Sequence, residues 1–277
     1  MSKNAESRTQ ILAFDVYGTL LDTSAIASEI QKYAPDKANE IATTWQLIFT
    51  ARAGQIYLAP ELHGLLQATT EHGLTLSEDE LTSLNAAYCT LPAFPDACAA
   101  LKALQEYTGV EHVIFSNGTS DMITAALDAS SLLPYAKTHV LIDTVPLDPA
   151  AGPGSTRKYK PAHEVYRALL RSVGKEEHPA DVWLVSGYVP AYTRLPTSIR
   201  PPQVSTAVFG ANAWKFHSNP FDVTGARNCG LRALWVDRAR KGWADHLLDG
   251  DKDTKATRIV HGLDELVEVV LAGGLVA

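Results

Sequence analysis

Five short apolar runs alternate along the chain with segments of helical periodicity. Each run is rich in Val, Ile, Leu and Phe and is apolar at both alternating positions, which is typical of strands covered by helices on both faces. The runs occupy 11–18, 112–118, 139–145, 182–187 and 231–237. The segments that begin at 96, 121 and 161 carry apolar residues three and four positions apart, which predicts helices. This alternation predicts an α/β fold with a doubly wound parallel sheet.

The alternation is interrupted after the first predicted strand. Residues 24–92 contain helical patterns, such as NEIATTWQLIFTAR, without a strand-like run between them. A proline-containing boundary, LPAFPDA at 91–97, closes this region. We therefore predict a core domain formed by residues 1–23 and 93–277, with a helical cap formed by residues 24–92 inserted after the first strand.

Composition narrows the classes of partner. The 277 residues are 46% hydrophobic and carry a net charge of -7 with both signs scattered, so no basic face for nucleic acid is expected. The three cysteines and nine histidines show no metal-ligand spacing, which predicts no metal site. The N-terminal MSKNAESRTQ has no apolar core, and the apolar segment 266–277 is too short to span a bilayer. We expect a cytoplasmic protein without a nucleic-acid or membrane partner.

Three predicted strands end in polar residues, namely Asp15, Ser116-Asn117 and Ser186. Ligands of open α/β sheets bind at the carboxyl ends of the strands, so these residues are candidates for a site. Asp15 is followed by a glycine-containing turn and Thr19, where an aspartate can act as a nucleophile held by backbone N–H groups. An aspartate at a strand end is also a common turn former.

Four segments in chain order resemble the motifs of the haloacid dehalogenase superfamily. They are Asp15 to Thr19, the FSNGT of 115–119, Lys160 within YKPAHEVY, and Ser186-Gly187 together with the NPFD of 219–222. The resemblance implies a Rossmann-like core domain with a helical cap.

The position two residues after Asp15 separates the branches of this superfamily. Its phosphatases carry a second aspartate there as a general acid and base, whereas this chain has Tyr17. The sequences DVYGTLLD and KPAHEVY are similar to the 2-haloacid dehalogenase branch instead. That resemblance implies that Asp15 attacks C2 of a small 2-haloacid, displaces the halide with inversion and forms an ester that water hydrolyses to a 2-hydroxy acid. It implies no metal and no other cofactor.

The resemblance also implies the roles of the supporting residues. Lys160 replaces the charge of a magnesium ion and keeps Asp15 ionised. Thr19, Ser116 and Asn117 bind the substrate or Asp15, and Tyr166 contributes an orienting hydroxyl. The residues expected to position Lys160 and the hydrolytic water are Ser186, Asn219 and Asp222. A homodimer is a further expectation from the resemblance.

One departure from the family leaves the activity open. The dehalogenases place an arginine in the first cap helix for the halide and the substrate carboxylate, and the corresponding position here is Thr43. Arg52, about two helical turns further along, is the candidate substitute. Two alternatives to a dehalogenase therefore stay open: a magnesium-dependent phosphatase using Asp15, Asp222 and a different acid, and a catalytically impaired relative that binds a small acid or a protein.

Residues 188–218 form an insertion within the fourth motif. In the family one residue separates the serine from the asparagine, so Ser186-Gly187 followed at once by Asn219 would match. The 31 inserted residues carry four prolines, three Lys or Arg and no Asp or Glu. Codons for 187–189 can contain GTATGT and those for 217–218 can contain CAG, which are common splice signals. The segment is either a retained intron, which sequencing the transcript would test, or a genuine irregular loop.

Overall fold

The computed structural model describes residues 9–52, 60–136, 138–141, 143–144, 158–187, 220–243 and 254–275. These residues fall into two compact units. The first contains the described residues within 1–23, 89–188 and 219–277, and the second contains those between 24 and 88.

A six-stranded parallel sheet forms the centre of the first unit. Its strand order is β3-β2-β1-β4-β5-β6, and all five neighbouring pairs are parallel. The strands are β1 (Gln10–Phe14), β2 (Val110–Ser116), β3 (His139–Leu141), β4 (Val182–Gly187), β5 (Arg232–Val236) and β6 (Arg258–Val260). The order reverses between β1 and β4, and the carboxyl ends of strands beside such a reversal form the usual ligand crevice.

Helices cover both faces of this sheet. In chain order they are α5 (Ala97–Glu106), α6 (Ser120–Ala129), α7 (His163–Ser172), α8 (Pro220–Asn228) and α9 (Leu263–Leu271), after four helices of the second unit. On one face, α7 and α8 bury an apolar cluster that includes Phe115, Leu184 and Trp235. The residues that alternate with these along the strands, such as Leu12 and Ile114, are also buried. Both faces of the central strands are therefore covered, as the unbroken apolar runs predict.

The doubly wound fold with helices inserted after the first strand is confirmed, but individual strands differ from their predicted bounds. Strand β1 ends before Asp15, so the polar residue follows the strand directly. Strand β3 contains three of the seven residues predicted for it, and of the other four, residues 142 and 145 lie outside the described part of the chain. Strand β6 was missed because only Val260 of its three residues is buried, which leaves no apolar run to detect.

The second unit consists of helices. They are α1 (Ile26–Ile30), α2 (Ala38–Arg52), α3 (Pro60–Glu71) and α4 (Glu78–Ala87). Helix α2 packs on α1 and α3, and α4 packs on α1 and α3. Trp45, at 1% exposure, contacts Tyr88 edge to face at 4.6 Å between ring centroids. The role of residues 24–92 as a cap stays a prediction.

In the described part of the chain, no helix combines the length and apolar character needed to cross a membrane.

Candidate active site

Polar residues meet at the carboxyl ends of three adjacent strands. Asp15 follows β1, Ser116 ends β2, and Ser186 precedes the last residue of β4. Since β2, β1 and β4 are neighbours in that order, all three residues lie at one edge of the sheet. The Asp15 N–H donates to the Val185 carbonyl at 3.0 Å, which fixes Asp15 beside β4.

Residues 15–21, called the 15–21 loop below, form a tight turn after β1. The Val16 carbonyl accepts the N–H groups of Thr19, Leu20 and Leu21 at 2.9 to 3.2 Å. Gly18 has a φ of 85°, a backbone conformation that glycine adopts without steric cost. The turn directs the Thr19 hydroxyl inward, where it donates to Asp15 Oδ2 at 3.2 Å and accepts the Gly187 N–H at 2.7 Å.

Lys160 lies between two carboxylates. Its Nζ is 2.8 Å from Asp15 Oδ1 and 2.7 Å from Asp222 Oδ2, and it donates a third hydrogen bond to the Phe115 carbonyl at 3.3 Å. The side chains of Lys160 and Asp222 are 2% exposed and that of Asp15 is 8% exposed. The lysine thus supplies a fixed positive charge to Asp15 in a site that is nearly closed to bulk water.

The charges of this triad shift the pKa values of Lys160 and Asp222. Burial of Lys160 disfavours its charge, but the attraction of Asp15 and Asp222 together outweighs burial and raises the pKa of the ammonium. Burial raises the pKa of Asp222 to about 6, and repulsion from Asp15 adds to this while Lys160 opposes it. One ammonium neutralises one carboxylate, so the second ionises at a cost.

Asn117 holds the backbone of Lys160 from both sides. Its Oδ1 accepts the Lys160 N–H at 2.8 Å, and its Nδ2 donates to the Lys160 carbonyl at 3.3 Å. Ser116 is 4% exposed, and its Oγ accepts the Gly118 N–H at 3.2 Å. The structure therefore places Asn117 against Lys160, while its predicted contact with substrate stays a prediction.

Tyr166 connects α7 to α8. It is fully buried, and its hydroxyl donates to the Asp222 carbonyl at 2.9 Å. Its ring packs so closely on α8 that a Cβ at Gly225 would lie 2.7 Å from the ring. Tyr166 thereby fixes the backbone that carries Asp222, while its expected role towards the substrate stays a prediction.

Two buried oxygens of the site have no hydrogen-bond partner among the described residues. They are Ser186 Oγ, whose residue is 0% exposed, and Asp222 Oδ1, whose residue is 1% exposed. Buried polar atoms normally have a partner, so these two oxygens are available to bind a water molecule or a polar group of a substrate.

Two further predicted residues cannot be placed by their side chains. Asn219 lies outside the described residues, and so does the insertion 188–218. Arg52 is the last residue of α2, and its side chain is also outside the described part. Thr43 is 2% exposed, and its hydroxyl donates to the Asn39 carbonyl of the same helix at 2.7 Å. Thr43 therefore offers no cation in place of the expected arginine.

Sequence reasoning missed an ion pair beside the site. Arg238 pairs with Asp96, and its Nη2 donates to the Thr19 carbonyl at 3.0 Å. Arg238 follows the carboxyl end of β5, at the same edge of the sheet as Asp15. The position of Arg238 directly after the fifth predicted strand is a sequence signal for the arginine, but not for its pairing with Asp96.

The described residues do not fit a magnesium ion. Among them, no group of three or more His, Cys, Asp or Glu side chains is arranged to hold a metal. Carboxylates are ligands that magnesium prefers, but those of Asp15 and Asp222 both face the Lys160 ammonium.

The sequence is similar to that of known dehalogenases. The family described as haloacid dehalogenase-like hydrolase matches residues 9–186. (S)-2-haloacid dehalogenase 1 of Pseudomonas sp. (strain CBS-3) is 30% identical over 184 residues, which cover 62% of this chain and 74% of that relative. Haloacetate dehalogenase H-2 of Moraxella sp. (strain B) is 24% identical over 239 residues, which cover 83% of this chain and 87% of that relative.

Solved structures share the fold. The L-2-haloacid dehalogenase from Xanthobacter autotrophicus, with chloropropionic acid covalently bound, superposes with a TM-score of 0.69 at 21% identity. The match covers 95% of this chain and 99% of that chain. The resemblance inferred from the four motifs is thus confirmed. Because the family match spans more than half of the sequence, the chain belongs to the haloacid dehalogenase-like hydrolases.

Proposed function

We propose that this chain hydrolyses the carbon–halogen bond of a small 2-haloacid and releases a 2-hydroxy acid and a halide ion. The observation that carries the proposal is the Lys160 ammonium, held between Asp15 and Asp222 at 2.8 and 2.7 Å. Lys160 is thus a positive charge that the protein itself places beside the carboxylate of the aspartate nucleophile. The names of the relatives support the same class of reaction.

In the first step, a carboxylate oxygen of Asp15 attacks C2 of the haloacid. The C–O bond forms as the C–halogen bond breaks, and the halide leaves with the bonding electrons. No proton donor is needed for this leaving group, which agrees with Tyr17 at the position of the phosphatase acid. Lys160 and Thr19 hold the two oxygens of Asp15, which limits its rotation before attack.

In the second step, water attacks the carboxyl carbon of the Asp15 ester. Esterification removes the negative charge of Asp15, so Lys160 then pairs with Asp222 alone and stabilises its ionised form. Asp222 Oδ1, which has no partner among the described residues, can accept a proton from the water. The bond between the carboxyl carbon and the substrate oxygen breaks, Asp222 passes its proton to that oxygen so that it leaves as the hydroxyl of the 2-hydroxy acid, and the second proton of the water is released as Asp15 returns to its carboxylate form.

Halide release from 2-chloropropionate tests the proposal. The assay is run with a chelator for the wild type, Asp15→Asn and Asp181→Asn, beside a phosphatase assay with magnesium. Asp181 also pairs with a lysine, Lys175 at 3.2 Å, but it precedes β4 at the opposite edge of the sheet. We expect Asp15→Asn to lose at least about a thousandfold in kcat and Asp181→Asn to stay within about twofold of the wild type.

The other outcomes identify the alternatives. Magnesium-dependent phosphate release that requires Asp15 would contradict the proposal and indicate a phosphatase. Absence of both activities would indicate a relative that binds without catalysis.

A further inference from the structure

The C-terminal half of the 15–21 loop and the adjoining Asp22 are hydrogen-bonded to residues 92–94. The Asp22 N–H donates to the Pro92 carbonyl at 2.9 Å, and the Phe94 N–H donates to the Leu20 carbonyl at 2.9 Å. Leu21 forms an isolated bridge with Ala93 between these bonds. This pairing fixes the loop up to Leu20 but leaves the Thr19 carbonyl to another donor.

Arg238 is that donor. Its Nη2 binds the Thr19 carbonyl at 3.0 Å, its Nη1 pairs with Asp96 Oδ2, and its guanidinium lies 4.0 Å from the centroid of the Phe94 ring. Asp96 Oδ2 also accepts the Leu263 N–H at 2.8 Å, which anchors the carboxylate to α9. The side chains of Arg238 and Asp96 are 17% and 19% exposed. The arginine is therefore held in one orientation by a carboxylate, a ring and a backbone carbonyl.

The residue that Arg238 contacts is the one that orients Asp15. The Thr19 hydroxyl donates to Asp15 Oδ2 at 3.2 Å, already at the long end of hydrogen-bond distances. A small movement of the Thr19 backbone would therefore break this bond. A largely buried ion pair is weak support for stability alone, since apolar residues of similar volume often replace such pairs without loss.

We infer that Arg238, oriented by Asp96, is a positioning residue that holds Thr19 and thereby aims the Asp15 carboxylate. This inference rests on the proposed function. Arg238 acts through the backbone of Thr19 and does not contact the carboxylate itself.

The variants are Arg238→Met, Arg238→Lys and Arg232→Met. Arg232 is a matched control on β5, because it also donates to a backbone carbonyl, that of Leu275 at 2.9 Å, and lies over an aromatic ring, that of Trp183 at 5.2 Å. We expect Arg238→Met to lower kcat for halide release about tenfold with KM changed less than about twofold. Arg238→Lys should recover part of the loss, and Arg232→Met should keep the wild-type kcat.

Hydrogen exchange of a peptide covering residues 15–22 supplies a readout that does not need activity. Exchange should be faster in Arg238→Met than in the wild type and unchanged in Arg232→Met. If Arg238→Met does not fold, Asp96→Asn replaces it, because the amide oxygen can still accept the Leu263 N–H while the charge is lost. Asp96→Asn should then also lower kcat and speed the exchange of residues 15–22, by smaller factors than Arg238→Met.

Two outcomes would overturn the inference about Arg238, and a third would overturn the proposed function. Wild-type kcat in Arg238→Met would overturn the inference whatever the exchange shows, and so would reduced kcat with unchanged exchange. If the wild type releases no halide, the proposed function fails, and loop exchange alone decides whether Arg238 holds the 15–21 loop.

Discussion

Lys160 carries one positive charge between two carboxylates, so the triad keeps a net negative charge in a buried place. Removing the ammonium would leave both carboxylates buried and unpaired, at a cost of about 3–5 kcal/mol. Burial raises the pKa of Asp222 to about 6, with repulsion from Asp15 adding to it and Lys160 opposing it. Burial disfavours the charge of Lys160, but Asp15 and Asp222 outweigh it and raise the pKa of the ammonium above its ordinary 10.5. Of Asp222 and Lys160, Asp222 is therefore the group that changes its charge nearer to neutral pH.

The pH dependence of halide release follows from these shifts. Asp222 accepts a proton from water only after the halide has left, so where ester hydrolysis limits turnover its protonation should lower kcat on the acid side. The midpoint should lie no higher than about 6, because esterified Asp15 no longer repels the charge of Asp222. On the alkaline side Lys160 keeps its charge, so kcat should stay level to about pH 10. A pH profile of the wild type and Asp222→Asn measures this. The variant should show a lower plateau without the acid limb, and an unchanged limb in Asp222→Asn would contradict the assignment.

Asn117 offers a second prediction at this scale. Because its Oδ1 and Nδ2 bond the backbone of Lys160, Asn117→Ala should displace the ammonium and lower kcat about tenfold. KM for 2-chloropropionate should change less than about twofold. Steady-state kinetics separate the two roles, since a direct substrate contact would instead raise KM with kcat preserved.

At the scale of elements, the site depends on close approach between β4 and the 15–21 loop. A Cβ at Gly187 would lie 2.8 Å from the Gly18 carbonyl oxygen and 3.3 Å from the Thr19 Cα. Both neighbours are backbone atoms, so neither can rotate away. A glycine at the end of β4 therefore permits the Gly187 N–H to reach the Thr19 hydroxyl at 2.7 Å.

Gly187→Ala should separate these elements. We expect a loss of about 1–3 kcal/mol in the free energy of unfolding and at least a tenfold loss of kcat, because Thr19 is displaced from Asp15. Gly64→Ala is the control, since a Cβ there meets Trp45 at an ordinary 3.4 Å inside a helix. Thermal unfolding and halide release check both variants, and full activity in Gly187→Ala would show that the close approach is unimportant.

At the scale of the whole molecule, the sequence predicted the features that depend on residues close together in the chain. The apolar runs located β1, β2, β4 and β5, and the motifs located Asp15, Lys160 and Asp222, which the structure joins by hydrogen bonds. The bonds of Asn117 to Lys160 were not predictable, because main-chain partners leave no trace in the sequence. Arg238 and Asp96 are 142 residues apart and meet only through the order of the sheet.

The insertion 188–218 is also a question about the whole chain. A variant lacking these 31 residues joins Gly187 directly to Asn219 and restores the spacing of the fourth motif. If the segment is a retained intron, this variant should fold and release halide at least about tenfold faster than the full chain, since Ser186 and Asp222 are then positioned by a short connection. Thermal unfolding measures whether the shortened variant folds, and kcat for halide release compares its activity with that of the full chain. Loss of folding, or of activity present in the full chain, would show that the segment belongs to the functional protein.

The central claim is that Asp15 forms an ester with C2 of the substrate. It is tested most directly by one turnover in H₂¹⁸O, with the protein in excess over 2-chloropropionate and a chelator present. The account predicts that the hydroxyl oxygen of the product is ¹⁶O from Asp15 and that ¹⁸O appears in the peptide containing Asp15, as read by mass spectrometry. Product carrying ¹⁸O in this first turnover, with an unlabelled Asp15 peptide, would show that water attacks the substrate directly and would contradict the account.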